Sequence, residues 1–336
     1  MGEGRSLRHG GRLKAAMERH GGEATDWLDL STGISPFAYP FTPPGSASFK
    51  RLPEAADVDS LLAAARRAYG VPNETALVAA PGTQALIQLV PRLFEPGRAS
   101  VDTMGYQEHG RCWSLAGHRV LEKQDVIAAV LDDDSVQFAS IIHPHNPLGS
   151  FADTENVVAA AGALASRGGL LVIDEAFCDA SPERSFLDAI PNGALVLRSF
   201  GKFYGLAGVR VGFAAGEAGL IDRIAAHLGP WAVPGPSIEI AAEALRDREW
   251  QARHSRRIAK ISSQLAEGLS GLGFELVGRT ELFVTARRAN ATDVEQRLAE
   301  QRILVRGFDQ DPFMLRFGLP ADMDAMTRVL AALGEI

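Results

Sequence analysis

Three polar side chains stand where short apolar segments of this sequence end. Asn146 follows the apolar residues at 141 and 142, Asp174 ends the run LLVID, and Lys202 comes shortly after the run ALVLRS. A lysine among Phe, Tyr and Gly can lose its solvent, which lowers its pKa and frees the amine for imine formation. A carboxylate at the end of a buried strand is costly unless it meets a cation or an opening. An amine and an acid in these positions can together do chemistry on a carbonyl group.

Each of these residues has a simpler interpretation when it is taken alone. Asn146 lies in a Pro-rich turn, Asp is a good helix N-cap, and lysines usually lie at the surface. Both intervals between the three residues are 28 residues long, about the length of a strand–helix–strand unit. Neighbouring strands would then bring an amide, a carboxylate and an amine to one site. Pyridoxal 5′-phosphate uses these groups for its ring hydroxyl, its ring nitrogen and its aldehyde.

The elements that would position these residues alternate along the chain. Short apolar runs are typical of strands buried on both faces, and segments of helical periodicity stand between several of them. The predicted strands of this part lie at 76–80, 137–143, 169–174, 194–199 and 209–215. This pattern predicts an α/β fold with a mainly parallel sheet, whose strand ends share one edge.

Breaks in the pattern predict three parts of the chain. Residues 1–48 are rich in Gly, Pro and Ser and are expected to form an N-terminal arm. Residues 49–235 are expected to form the large domain, because a cluster of prolines and a glycine follows at 230–236. Residues 236–336 begin with a long helical stretch and then alternate between strand and helix, which predicts a small α+β domain.

Composition excludes several classes of function. The net charge of −7 disfavours a general nucleic-acid binder, which needs a basic face. Two cysteines in 336 residues indicate a reducing compartment, and we expect the cytoplasm. No apolar run reaches the roughly 18 residues of a membrane span, and the N-terminus lacks the apolar core of a signal peptide. No set of His and Cys residues has the spacing of a zinc site, so we expect no metal.

The motifs together resemble those of fold-type-I pyridoxal-phosphate enzymes of the aspartate-aminotransferase superfamily, in the branch of histidinol-phosphate aminotransferases and threonine-phosphate decarboxylases. The resemblance is carried by HPHNPLG, DEAF and SFGKFYGLAGVRVG, and it runs over nearly the whole chain. It implies a mainly parallel seven-stranded sheet between helices and a smaller α+β lobe. It also implies Lys202 as the Schiff-base lysine, Asp174 as partner of the pyridinium nitrogen and Asn146 as a donor to the ring O3′. The further cofactor contacts that it implies are Gly82, Thr83, Gln84, Ser199 and Arg210 around the phosphate, and Tyr106 on the ring.

The start of the chain resembles the decarboxylases of this branch. RHGG and LDLSTGISP are similar to the opening of threonine-phosphate decarboxylases of cobalamin biosynthesis. The resemblance implies substrate contacts from His9 and Gly33 in the arm, from Arg306, and from Arg316, which would bind the carboxylate. The expected reaction is decarboxylation of L-threonine O-3-phosphate to (R)-1-aminopropan-2-ol O-phosphate. The alternative is an aminotransferase of the histidinol-phosphate type, and cofactor residues alone do not separate the two.

Three places depart from the pattern of the family: Leu52, Phe177 and the segment DTMGY (102–106), which lacks the usual Pro-Thr-Tyr before Tyr106. Leu52 stands where a tyrosine often reaches the cofactor phosphate of the neighbouring subunit, so that contact is expected to be missing or supplied elsewhere. Phe177 stands where aminotransferases often have a tyrosine to O3′. The resemblance implies a homodimer, and no nucleic-acid or membrane partner. A non-catalytic scaffold is a third hypothesis, but it would have no physical need for Lys202, Asp174 and Arg316 together.

Overall fold

The structure is a computed structural model, and it describes residues 10–336. Its strands, numbered along the chain, are β1 (Leu28–Asp29), β2 (Ala76–Ala80), β3 (Arg98–Asp102), β4 (Arg119–Lys123), β5 (Phe138–Ile142), β6 (Leu170–Asp174), β7 (Ala194–Ser199), β8 (Gly212–Gly216), β9 (Glu275–Arg279), β10 (Phe283–Arg287), β11 (Ile303–Leu304), β12 (Arg306–Phe308) and β13 (Asp311–Gly318). Its helices are α1 (Leu13–His20), α2 (Ser46–Lys50), α3 (Ala55–Tyr69), α4 (Thr83–Leu89), α5 (Glu108–Leu115), α6 (Val126–Asp132), α7 (Thr154–Ser166), α8 (Ala218–Leu228), α9 (Gly235–Arg246), α10 (Arg248–Gly271), α11 (Ala291–Glu300) and α12 (Met323–Gly334). Within the described part of the chain, no helix is both long and apolar enough to cross a membrane.

The contacts divide the chain into two compact units. The larger unit is made of Ala38–Asn146 and Ser150–Ala252. The smaller unit takes the described residues up to Phe37, together with Pro147–Gly149 and Arg253–Ile336. Residues 38–48 and 236–252, which the sequence assigned to the arm and the small domain, thus fall in the larger unit. The reason is local packing, since α9 lies against α3 and α2. The domain limits at 48 and 235 remain predictions.

The larger unit is built on a seven-stranded sheet in the order β2-β8-β7-β6-β5-β3-β4. β8 runs antiparallel to both of its neighbours, β2 and β7, and the remaining neighbouring strands pair in parallel. Every residue of β5 and β6 is buried, as expected for central strands with helices on both faces. The predicted fold class, with its mainly parallel seven-stranded sheet, is confirmed.

Two strands of this sheet were not predicted from the sequence. β3 and β4 have the sequences RASVD and RVLEK, and their charged ends interrupt the apolar pattern. β4 lies at the edge of the sheet, and three of its five residues are exposed. An edge strand needs fewer apolar residues than a central one, which removes the signal that predicted its neighbours.

The smaller unit contains an antiparallel sheet in the order β12-β13-β10-β9 and a separate parallel pair, β1-β11. Its core lies between one face of this sheet and the helices α10, α11 and α12. Buried residues of this core include Leu269, Val294, Leu298, Phe317 and Val329. β13 and β10 are the two inner strands of this sheet, and β13 pairs with β12 on one side and β10 on the other.

Candidate active site

The ends of β5, β6 and β7 lie side by side in the larger unit. β5 and β6 pair in parallel with Ile142 opposite Asp174, and β6 and β7 pair with Asp174 opposite Leu197. Asn146 and Lys202 follow the carboxyl ends of β5 and β7, respectively. The parallel register therefore brings the three predicted residues to the same edge of the sheet, where ligands of open α/β sheets bind.

Asp174 is held by two donors. Its side chain is buried, and its Oδ2 accepts a hydrogen bond of 2.9 Å from Nε2 of His109. Its Oδ1 accepts a hydrogen bond of 3.0 Å from the backbone N–H of Ala176. A fixed carboxylate at this edge is suited to stabilise a protonated ring nitrogen.

His109 is a residue of the site that sequence reasoning missed. It lies in α5, 65 residues before Asp174, and it is itself buried. The sequence motifs assigned His109 no role in the site. No local pattern around His109 indicates a carboxylate partner, because the pairing depends on how α5 packs on the sheet.

Lys202 lies in the turn after β7 and is half-buried. Its Nζ is 5.6 Å from the centre of the Phe177 ring. Phe177, which departs from the family's tyrosine, is buried and presents no hydroxyl to the site. The aromatic face gives the amine one apolar neighbour.

Gly82, Gly212 and Arg210 form a cradle at the start of α4. Gly82 precedes α4 with φ +82°, and a methyl group there would come within 2.6 Å of Nη2 of Arg210. A methyl group at Gly212 would come within 2.5 Å of the backbone N of Thr83. Ser199 pairs with Gly212 across β7 and β8, so it joins the same group. Open N–H groups and a guanidinium suit a phosphate, and a side chain at either glycine would fill the space.

Arg210 itself has a left-handed backbone, with φ 56° and ψ 56°. This conformation is uncommon for a residue other than Gly, Asn or Asp and costs on the order of 1 kcal/mol. Its Nη1 donates a hydrogen bond of 3.2 Å to the backbone O of Ala207. The strained backbone and this bond turn the guanidinium toward Gly82.

Tyr106 is linked to α4 through Gln84. Its hydroxyl donates a 3.0 Å hydrogen bond to Oε1 of Gln84, whose Nε2 donates to Glu108 at 3.2 Å. Burial, with the nearby charge of Glu108, raises the pKa of Tyr106 to about 12. The ring stands edge-on to His109, with 6.2 Å between ring centres. Tyr106 is therefore a neutral phenol that connects the start of α4 to the surroundings of Asp174.

A buried ion cluster lies behind the strand ends. Nη2 of Arg198 is 3.0 Å from Oε2 of Glu175 and donates a 2.8 Å hydrogen bond to Oγ of Ser185. Asp179 lies 3.7 Å from Nη1 of Arg198, and burial raises the pKa of Asp179 to about 7. Glu175 directly follows Asp174, and Arg198 directly precedes Ser199. The signal for this cluster in the sequence is a charged residue of each sign beside otherwise apolar strand segments, LLVID and ALVLRS.

Arg306 and Arg316 are cross-strand neighbours in the smaller unit. They stand opposite each other on β12 and β13. Arg316 is buried, and its Nη2 donates a 3.1 Å hydrogen bond to the backbone O of Ser31. Burial and then the charge of Arg306 lower the pKa of Arg316 to about 9. Two neighbouring cations of which one is buried favour an anionic ligand, because an anion offsets both costs.

Three predicted positions have different outcomes. Gly33 is buried in the smaller unit, two residues beyond Ser31. His9 lies outside the described residues. Leu52 is 61% exposed in the larger unit.

The fold and the chemistry of these residues define a class of protein. The sequence model of the family "Aminotransferase class I and II" matches residues 49–333, and the chain belongs to this family. It is 41% identical to a threonine-phosphate decarboxylase of Pseudomonas aeruginosa over 97% of both chains. It is 37% identical to a threonine-phosphate decarboxylase of a Sinorhizobium species over 98% of both chains. Its fold is similar to that of the histidinol-phosphate aminotransferase from Clostridium acetobutylicum, with a TM-score of 0.79, 21% identity, and coverage of 92% of this chain and 98% of that one.

Proposed function

We propose that the protein is a pyridoxal-phosphate-dependent decarboxylase of L-threonine O-3-phosphate. The carboxylate of the substrate leaves as CO2, a proton takes its place on the α carbon, and the product is 1-aminopropan-2-ol O-phosphate. The observation that carries the proposal is identity of 41% and 37% to threonine-phosphate decarboxylases over nearly the full length of each chain. The expected place of the reaction is the synthesis of the cobalamin side chain.

The residues of the larger unit fit pyridoxal 5′-phosphate. This cofactor supplies an electron sink for the carbon that loses CO2. Lys202 would hold it through the amine, Asp174 would keep its ring nitrogen protonated, and Asn146 would donate to its ring hydroxyl. The cradle at Gly82 and Arg210 is the observation that supports the phosphate site, because any side chain at Gly82 would fill it. Thr83, Gln84 and Ser199 would complete the phosphate contacts, and Tyr106 would lie on the ring.

The arginines of the smaller unit fit a substrate with two anionic groups. L-threonine O-3-phosphate carries a carboxylate and a phosphate, and both suit a planar guanidinium. We assign the carboxylate to Arg316 and the other anionic end to Arg306, with Gly33 and His9 as further contacts. The anchoring of the two groups would decide which bond at the α carbon is activated. Anchoring that favours the bond to the carboxylate gives decarboxylation, and anchoring that favours the C–H bond gives amino transfer.

We also propose that the protein is a cytoplasmic homodimer. The two reduced cysteines support the compartment, since both Cys112 and Cys178 are free and buried. The resemblance to the superfamily supports the dimer. Sedimentation of the purified protein at micromolar concentration would give a single species of about 36 kDa, the mass of one chain, if the dimer is wrong.

The test of the function is a substrate assay. The purified protein is supplied with pyridoxal 5′-phosphate and L-threonine O-3-phosphate, without a keto acid, and CO2 release is followed. We expect release that is abolished by K202A and unchanged by K123A, which removes an exposed lysine of β4. Amino transfer from histidinol phosphate to 2-oxoglutarate, without CO2 release from threonine phosphate, would establish the alternative instead.

A further inference from the structure

Ser31 is a buried polar residue beside β13, the strand that carries Arg316. The segment that contains it pairs with β11, where the N–H of Leu30 donates a 2.7 Å hydrogen bond to the O of Leu304. The O of Leu30 accepts a 2.7 Å hydrogen bond from the N–H of Gly318, at the end of β13. Ser31 itself is 5% exposed. The segment around Leu30 and Ser31 is therefore hydrogen-bonded to β11, which precedes Arg306, and to the end of β13, which carries Arg316.

The hydroxyl of Ser31 is oriented by Asp29. Oγ of Ser31 donates its one proton to Oδ1 of Asp29 at 2.6 Å, and the N–H of Ser31 donates to the same oxygen at 2.9 Å. The lone pairs of Oγ are then left to accept, and they accept from the N–H of Gly11 at 2.8 Å. Asp29 thus makes Ser31 an acceptor that holds the backbone of the N-terminal arm.

The carbonyl of Ser31 meets both the arm and Arg316. Its oxygen accepts the 3.1 Å hydrogen bond from Nη2 of Arg316. A methyl group at Gly10 would come within 2.2 Å of the same oxygen and 2.9 Å of its carbon. Gly10 therefore packs on the carbonyl oxygen of Ser31, which is the atom that orients the guanidinium of Arg316. Gly10 is required at this position because a larger residue would overlap that oxygen.

We propose that Ser31 is a positioning residue that couples Gly10 and Gly11 to Arg316. The packing of these two glycines on Ser31 then sets the orientation of the Arg316 guanidinium toward the substrate. The inference rests on the proposed function for the role of Arg316 in binding the substrate. It adds that the start of the chain acts on substrate affinity through Ser31. The coupling runs within the smaller unit and needs no change at Lys202 or Asp174.

The test is a pair of Gly→Ala substitutions. G10A pushes the Ser31 carbonyl away from Arg316, whereas G162A adds the same methyl to an exposed position of α7 with nothing within 4 Å. Loss of a hydrogen bond to a charged group predicts a KM for threonine phosphate about tenfold higher in G10A. We expect kcat and the absorbance of the bound cofactor to stay near the wild-type values. S31A, which removes the acceptor for Gly11 together with the hydroxyl's own bond to Asp29, should raise KM in the same direction.

A double-mutant cycle separates positioning from a general structural role. If Ser31 and Gly10 act through Arg316, G10A should raise KM little further once R316K is present. An equal rise of KM in the wild-type and R316K backgrounds would overturn the proposal, as would a G10A protein that behaves like G162A.

Two further measurements test this inference independently of the proposed substrate. The rate of tryptic cleavage after Arg12 and the rate of phenylglyoxal modification of Arg316 both need no turnover. Both should increase in G10A and in S31A but not in G162A. If the wild type releases no CO2 from threonine phosphate, the function is wrong, and these two rates still decide the coupling. Unchanged rates in G10A and S31A would refute it.

Discussion

Gly82 offers a sharp test of the phosphate cradle. Substitution by alanine has two separable effects. The backbone conformation, φ 82° and ψ 158°, is accessible essentially to glycine alone, and strain of this kind costs about 1–3 kcal/mol of folding stability. The new methyl group would also stand 2.6 Å from Nη2 of Arg210, well inside the roughly 3.5 Å of a normal contact.

The second effect should appear in cofactor affinity rather than in stability. Nη2 is the tip of a flexible side chain, so the guanidinium can turn away at little cost to the fold. Turning away removes a cation from the start of α4, and a lost hydrogen bond to a charged group is worth about 1.5–3 kcal/mol. The Kd for pyridoxal phosphate should therefore rise at least about tenfold.

Gly229 provides the matched control. It has φ 71° and ψ −178°, close to the conformation of Gly82, but nothing lies within 4 Å of its added methyl group. Urea unfolding of the two alanine variants without cofactor should show similar losses of stability. Cofactor titration followed by absorbance should show weaker binding in G82A alone. Equal affinity in G82A and G229A would refute the argument that Arg210 and Gly82 form the cradle.

Three other predictions concern Asp174, Asp179 and Arg316. H109F removes the donor to Oδ2 of Asp174, and we expect kcat to fall about tenfold while the cofactor stays bound. Steady-state kinetics measures kcat, and absorbance measures the bound cofactor. An unchanged kcat would mean that the Ala176 N–H alone is enough to hold the Asp174 carboxylate. Burial raises the pKa of Asp179 from 3.8 to about 7, so the folded protein holds a proton there that the unfolded chain releases. Its contribution to stability is therefore lost as the pH rises from about 4 to 7, and D179N should gain over the wild type across this window in urea unfolding; a constant difference would contradict the shift. R316K replaces the planar fork by a point charge, and the KM for threonine phosphate should rise at least about tenfold with little change in cofactor affinity; a wild-type KM would remove Arg316 from the substrate site.

The sequence by itself determined the central strands and the residues at their ends. β2, β5, β6 and β7 lie where the apolar runs predicted them, because strands buried on both faces need continuous apolar residues. Parallel strands then place their carboxyl ends at one edge, and this rule was enough to group Asn146, Asp174 and Lys202. Their proposed roles in holding the cofactor came from the resemblance to a family.

Only the tertiary structure decided the partners of these residues. His109 meets Asp174 across 65 residues of sequence, and Arg316 meets Ser31 across 285. The apolar pattern of the sequence also did not predict β3 and β4, because a strand near a sheet edge tolerates charged residues. The physical reason is common to the two hydrogen bonds. Apolar periodicity reports whether a position is buried, but a hydrogen bond between distant polar groups depends on which faces meet when the chain packs, and no local pattern records that.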